Sequence, residues 1–158
     1  MQTNTCCFIG HRTICETEAL TTSLLAIIEQ LVVRQGVDTF LFGSKSRFND
    51  LCWGLVTQTK EKHPHIKRVY VRAEYPHIDE SYRRYLLERY EETYYPETLV
   101  GAGKAVYVKR NREMIDNSRF CIVYCTQQGI AAIRKSGTKT ALDYAVKQGK
   151  HIIRLSAD

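Results

Sequence analysis

Short runs of consecutive apolar residues alternate along this chain with longer stretches whose apolar positions recur every three to four residues. The first run, Thr5–Gly10 (TCCFIG), stops at a glycine and predicts a buried strand. Leu20, Leu24, Ile27, Ile28, Leu31 and Val32 then form the stripe of an amphipathic helix that Gly36 is placed to end. Its start falls at Thr13, which with Glu16 has capping-box spacing, or equally at Thr17. Thr39–Phe42 (TFLF) predicts a second strand ending at Gly43, followed by a helix from about Phe48 that turns Leu51, Cys52, Leu55 and Val56 inward and closes before Pro64. Lys67–Val71 (KRVYV) predicts the third strand and Phe120–Cys125 (FCIVYC) the fourth, with a helix at about Val106–Asn117 before it. Helix Thr138–Gln148, stopped by Gly149, and strand His151–Leu155 complete the pattern.

Strand and helix alternate throughout, and the strands are continuously apolar instead of alternating, as in a parallel sheet covered on both faces. The expected fold is one Rossmann-like, doubly wound α/β domain over residues 1–158, with about five parallel strands. One segment, 72–104, does not fit this scheme. It holds Tyr75, Tyr82, Tyr85, Tyr90, Tyr94 and Tyr95 around a predicted helix at Asp79–Glu92, and reads as a tyrosine-rich helical insertion after the third strand. Packing or subunit contact is the ordinary use of such a stripe; a lid over a ligand is the other reading.

An open parallel sheet binds ligands just beyond the carboxyl ends of its strands, which turns the strand pattern into a list of candidate positions. The first strand delivers Gly10, His11 and Arg12, and the second Gly43, Ser44, Lys45, Ser46 and Arg47. The third delivers Arg72 and Glu74, and a helix start after the fourth presents Ser136, Gly137, Thr138 and Lys139. Free backbone N–H groups and the positive dipole end at such a helix start suit a phosphate, although Ser and Thr are also ordinary caps. Neither Gly10-His11-Arg12 nor Gly43-Ser44-Lys45-Ser46 has the glycine spacing of a dinucleotide fingerprint or a P-loop. His11 suits proton transfer or donation to an anion. Arg110 and Asn111 lie on the helix before the fourth strand, where a solvated face explains them equally well.

Composition narrows the partners. With 158 residues, 44% of them hydrophobic, the chain supplies a core. A net charge of +6 favours anions, but the basic residues are dispersed in pairs such as Lys67-Arg68, Arg83-Arg84, Lys109-Arg110 and Arg134-Lys135. A nucleic-acid arm or a polybasic membrane anchor is denser than this. The six cysteines contain no C-x-x-C pair, and no His stands at zinc-finger spacing, so no metal or cofactor is expected. Cys6, Cys7 and Cys121 fall inside strands, as small hydrophobes in a reducing compartment would. Nothing resembles a signal peptide or a bilayer span, and a cytoplasmic location is expected.

Three blocks, CCFIGHR at the start, AGKAVYVKRNREMIDNSRFCIVY in the centre and SGTKTALDYAVKQGK near the end, resemble the SLOG superfamily (SMF/DprA and Lonely Guy-like proteins), specifically its branch of small stand-alone bacterial and phage proteins. The resemblance runs from about Thr5 to Leu155. It implies a Rossmannoid fold, a nucleotide or nucleotide-derived ligand, and assembly as a homodimer or higher homo-oligomer. Enzymes of the superfamily that cleave the N-glycosidic bond of nucleoside monophosphates carry an Arg-Lys pair and then a G-G-x-G-T-x-x-E motif. Here Arg110 matches the Arg but Asn111 replaces the Lys; Gly137 and Thr138 match the G-T, but Ala141 stands in the place of the catalytic Glu. The second loop, Gly43–Asp50, is also poor in glycine where many members have G-G-A-x-G-x-D.

Glycosidic cleavage builds positive charge on the sugar, which a carboxylate stabilises and an alanine does not. The residues therefore favour a module that senses or sequesters a nucleotide-type molecule. The alternative is a phosphoribohydrolase-type N-glycosidase using a displaced acid such as Glu74 or Asp116. A single-stranded nucleic-acid binder is a more distant third reading, since it needs a concentrated basic patch.

Overall fold

The computed structural model describes residues 4–11, 13–125 and 137–155. In chain order these form β1 (Thr5–Gly10), α1 (Glu18–Gln35), β2 (Thr39–Phe42), α2 (Arg47–Lys62), β3 (Lys67–Val71), α3 (Glu80–Arg89), β4 (Glu92–Tyr94), α4 (Val106–Asp116), β5 (Phe120–Tyr124), α5 (Gly137–Lys147) and β6 (His151–Leu155). Two short 3₁₀ turns, Glu97–Leu99 and Gly103–Ala105, lead into α4. The strands make one sheet of order β4-β3-β2-β1-β5-β6 in which every neighbouring pair is parallel.

Each apolar run is divided between the two faces of the sheet, because successive side chains in a strand point to opposite sides. Cys6 and Phe8 join Phe40, Phe42, Ile122 and Tyr124 beneath α1, α2 and α3. Cys7 and Ile9 join Leu41, Val69, Cys121 and Val123 beneath α4 and α5. Right-handed crossovers impose this division. From β1 to β4 the chain moves steadily one way across the sheet and keeps its helices on one face. From β5 it moves the other way, and its helices must cover the opposite face. The reversal leaves a crevice at the carboxyl ends of β1 and β5, whose register runs to Gly10 opposite Tyr124.

The helix boundaries follow local chemistry. Thr17, not Thr13, caps α1, its hydroxyl accepting from the Leu20 amide at 3.1 Å. Ser46 caps α2 through the Asn49 amide at 3.1 Å. Cys6, Cys7, Cys52 and Cys121 are fully buried and all six cysteines are free thiols, with Cys7 Sγ 3.6 Å from Cys121 Sγ across the β1–β5 pair.

The tyrosine-rich segment departs from expectation. It is not purely helical: its predicted helix stops at Arg89, and Glu92–Tyr94 adds a sixth strand at the edge of β3. Two interactions end the helix there. The Tyr90 ring is buried and stacks on Tyr70 at 5.2 Å between centroids. Glu91 is captured by Arg68, whose guanidinium reaches both carboxylate oxygens at 3.1 and 2.7 Å while the backbone amide adds a bond of 2.7 Å. Burial alone raises the Glu91 pKa, but these bonds outweigh it and hold the carboxyl below its ordinary range.

Gly10 and Gly43 end their strands for a steric reason. A Cβ at Gly10 would overlap the Phe48 ring, and one at Gly43 would lie 2.7 Å from both Arg110 Cδ and Met114 Sδ. Gly54, on the exposed side of α2, has open space around it. In urea denaturation Gly10→Ala should therefore lower stability by about 1–3 kcal/mol through overpacking. Gly54→Ala should raise it by roughly 0.5–1 kcal/mol through helix propensity.

Candidate functional site

The carboxyl ends of β1, β2 and β3 and the amino ends of α4 and α5 enclose a cavity of ≈ 810 Å³, within the size range of small-molecule sites. Gly10, His11, Gly43, Ser44, Lys45, Arg72, Arg110, Asn111, Gly137 and Thr138, all marked out by their position after a strand or on the helix before β5, line it together. Arg47 does not. It starts α2 on the other side and borders a separate depression with Glu16 and Asp50. Lys139 is also off the cavity, with its ammonium 2.9 Å from Asp143 one turn along α5. Arg12 and Ser136 lie outside the described residues.

Arg110 is the least ordinary of these residues. Only 7% exposed, it is carried inward by α4, and its Nη1 donates to the Gly43 carbonyl. Its Nε donates to Asn111 Oδ1 at 3.3 Å, and its guanidinium lies 5.7 Å from the Tyr107 ring centre. No carboxylate stands within 4 Å of it among the described residues. Burial works against its charge and pulls its pKa down; Tyr70, Tyr107 and Glu74 act in the other direction. Arg72, 9% exposed, also lacks a carboxylate but is better satisfied. It donates to the carbonyls of Tyr75 (3.1 Å) and Pro76 (3.5 Å) and to Thr93 Oγ1 (3.2 Å), clamping the chain after β3 to β4.

Glu74 is the single carboxylate on the described wall. It is engaged by Lys45 Nζ at 3.5 Å and by the Tyr107 hydroxyl at 3.2 Å. Asp116, the other displaced acid considered, sits at the far end of α4, about 9 Å along the axis from Arg110. It accepts there from the Tyr144 hydroxyl at 2.7 Å. Ala141 packs in the core beneath α5 and does not reach the cavity wall. The site thus sets Lys45, Arg72 and Arg110 against one acid, with the hydroxyls of Ser44 and Ser46 2.9 Å apart at the start of α2. The N-termini of α2 and α5 both open on it. Such a wall favours an anion. Among the described residues no three His, Cys, Asp or Glu side chains gather as metal ligands, and no helix is long and apolar enough to cross a membrane.

Pattern reading missed Tyr70 and Tyr107 on this wall, and did not place Tyr75 and Tyr82 there. Tyr70 is hidden inside an apolar run, but it lies two residues before Arg72 on the same face of the strand. Tyr107 stands three and four residues before Arg110 and Asn111, on one helix face with them.

His11 has its Nε2 buried with no hydrogen-bond partner among the described residues, and its ring meets Tyr124 edge-on at 6.3 Å. Burial lowers its pKa below the ordinary 6.5. The unfolded chain then binds more protons than the folded one between 6.5 and that lower value, so stability must fall as pH drops through this window. Urea titrations at pH 7.5 and pH 5 should show a smaller acid-induced loss for His11→Gln than for the unaltered protein.

No model of a known protein family matches the chain, and no curated protein is similar to it at a significant level.

Proposed function

We propose that the protein binds a nucleotide or nucleotide-derived phosphorylated small molecule at the carboxyl end of its sheet, as a sensor or sequestering module. The observation that carries this reading is the buried Arg110 guanidinium, held by the Gly43 carbonyl beside the cavity without a carboxylate partner among the described residues. Keeping a cation in such a place costs several kcal/mol unless an anion compensates it. A phosphate seated there also meets the N–H groups at the starts of α2 and α5. The sequence resemblance to the SLOG superfamily points the same way, and with it the expectation of a homo-oligomer.

A nucleotide N-glycosidase is the second reading, favoured by Glu74 on the wall. Its carboxylate would stabilise the cationic sugar of the transition state, but Lys45 and Tyr107 already compete for its oxygens. Binding is the better-supported reading.

Mass spectrometry of small molecules released from the purified protein should find an intact nucleotide-type compound. Incubation with a panel of nucleoside monophosphates should yield no ribose 5-phosphate at enzymatic rates; steady release that Glu74→Gln abolishes would establish the glycosidase instead. Among the described residues nothing lies within 4 Å of a Cβ at Gly137, and an acidic residue in a first helical turn stabilises the helix. Gly137→Asp should therefore not lower the thermal unfolding temperature while weakening calorimetric binding of phosphorylated ligands by at least about tenfold. Unchanged affinity would place the phosphate elsewhere.

A further inference from the structure

We infer that the β3 side of the cavity is a stacking subsite for a planar heteroaromatic ring, with Tyr75 and Tyr82 as its two walls. This rests on the proposed phosphate reading and assigns the other end of the ligand.

Tyr75 lines the cavity yet is 50% exposed. Its position is not set by packing of its ring into the core. It is set through its backbone, since Arg72 donates to the carbonyls of Tyr75 and Pro76 and is anchored behind by Thr93. A nearly buried cation is thus used to hold an aromatic ring in the open. Tyr82 follows in the first turn of α3, its amide held by Asp79 at 2.7 Å. The two rings lie 6.1 Å apart at 81°, so they form a corner, and Tyr85 backs Tyr82 in a near-parallel stack at 6.1 Å. A flat ring laid against one wall of such a corner presents its edge to the other, an arrangement aromatic quadrupoles favour. Tyr70 lies on the same wall, and burial raises the pKa of its phenol.

The layout fits a bipartite ligand. Gly43, whose carbonyl holds Arg110, follows β2, and β3 lies beside it with Arg72, Tyr75 and Tyr82 beyond its end. Neighbouring strands are about 5 Å apart, so the phosphate seat and the rings occupy adjoining parts of one cavity, as the two ends of a nucleoside monophosphate require. An acyl chain would not match this end of the cavity, where Arg72 and Glu74 sit among the tyrosines.

The test is titration calorimetry of the full chain with inorganic phosphate, ribose 5-phosphate and the 5′-monophosphates of adenosine, guanosine, cytidine and uridine. Base–aromatic stacking contributes about 1–3 kcal/mol per base, or roughly 5- to 150-fold in affinity. The nucleotides should bind tighter than ribose 5-phosphate by a factor in that range, the purines most. Tyr75→Ala, at a half-exposed ring, should remove that advantage while leaving ribose 5-phosphate affinity unchanged, and Tyr75→Phe should keep it. Tyr82→Ala should behave as Tyr75→Ala does. If ribose 5-phosphate binds as well as every nucleotide, or if Tyr75→Ala leaves the advantage intact, the stacking subsite is wrong and the phosphate site stands. If neither sugar phosphate nor nucleotide binds, both fall together.

Discussion

A parallel sheet cannot leave either face in water, because its strands are apolar on both sides, and that constraint organises this molecule. Helices must cover both faces, and right-handed connections do so only if the chain reverses its direction across the sheet. The reversal at β1 and β5 separates the helix layers at the carboxyl edge and opens the crevice. Polar residues beyond the strand ends face this opening because the apolar runs that precede them are consumed by the core. The cavity thus follows from how the core is covered.

Two nearly buried guanidinium groups refine that opening in different ways. Arg110 ties α4 to the end of β2 through the Gly43 carbonyl, and the missing side chain at Gly43 lets it lie so close. Arg72 is spent on carbonyls and a threonine hydroxyl, and it shapes the rim. Of the two, Arg110 retains more of its capacity for an external anion, and Arg72 decides where the aromatic rim stands. On the proposed reading one cation addresses the phosphate and the other addresses the base indirectly.

The same wall is the reason binding is proposed over hydrolysis. Its one described carboxylate, Glu74, is engaged by Lys45 and the Tyr107 hydroxyl. The chain's other candidate acid, Asp116, is carried to the opposite end of α4, and Ala141 is enclosed in the core. Cationic and hydroxyl groups dominate what a ligand would meet, which suits ground-state recognition of an anion more than stabilisation of a cationic transition state.

Much of this was determined by the sequence alone. Apolar runs ending at Gly10, Gly43 and Cys125 set the strands, and because ligands collect at strand ends, His11, Ser44, Lys45, Arg72 and Thr138 are legible as neighbours from the sequence. Arg110 and Asn111 were not decidable in this way, since a helix face pattern does not say which side meets a cavity. Tertiary structure also excluded Arg47, which helix α2 turns aside, and Lys139, which pairs along its own helix. It turned the end of a predicted helix into β4, because Arg68 and the Tyr70 ring capture Glu91 and Tyr90 from a distant part of the chain. It also brought Tyr70, Tyr75, Tyr82 and Tyr107 to one wall. Local periodicity reports which residues leave water, while their partners depend on how separate elements cross, which no local pattern encodes.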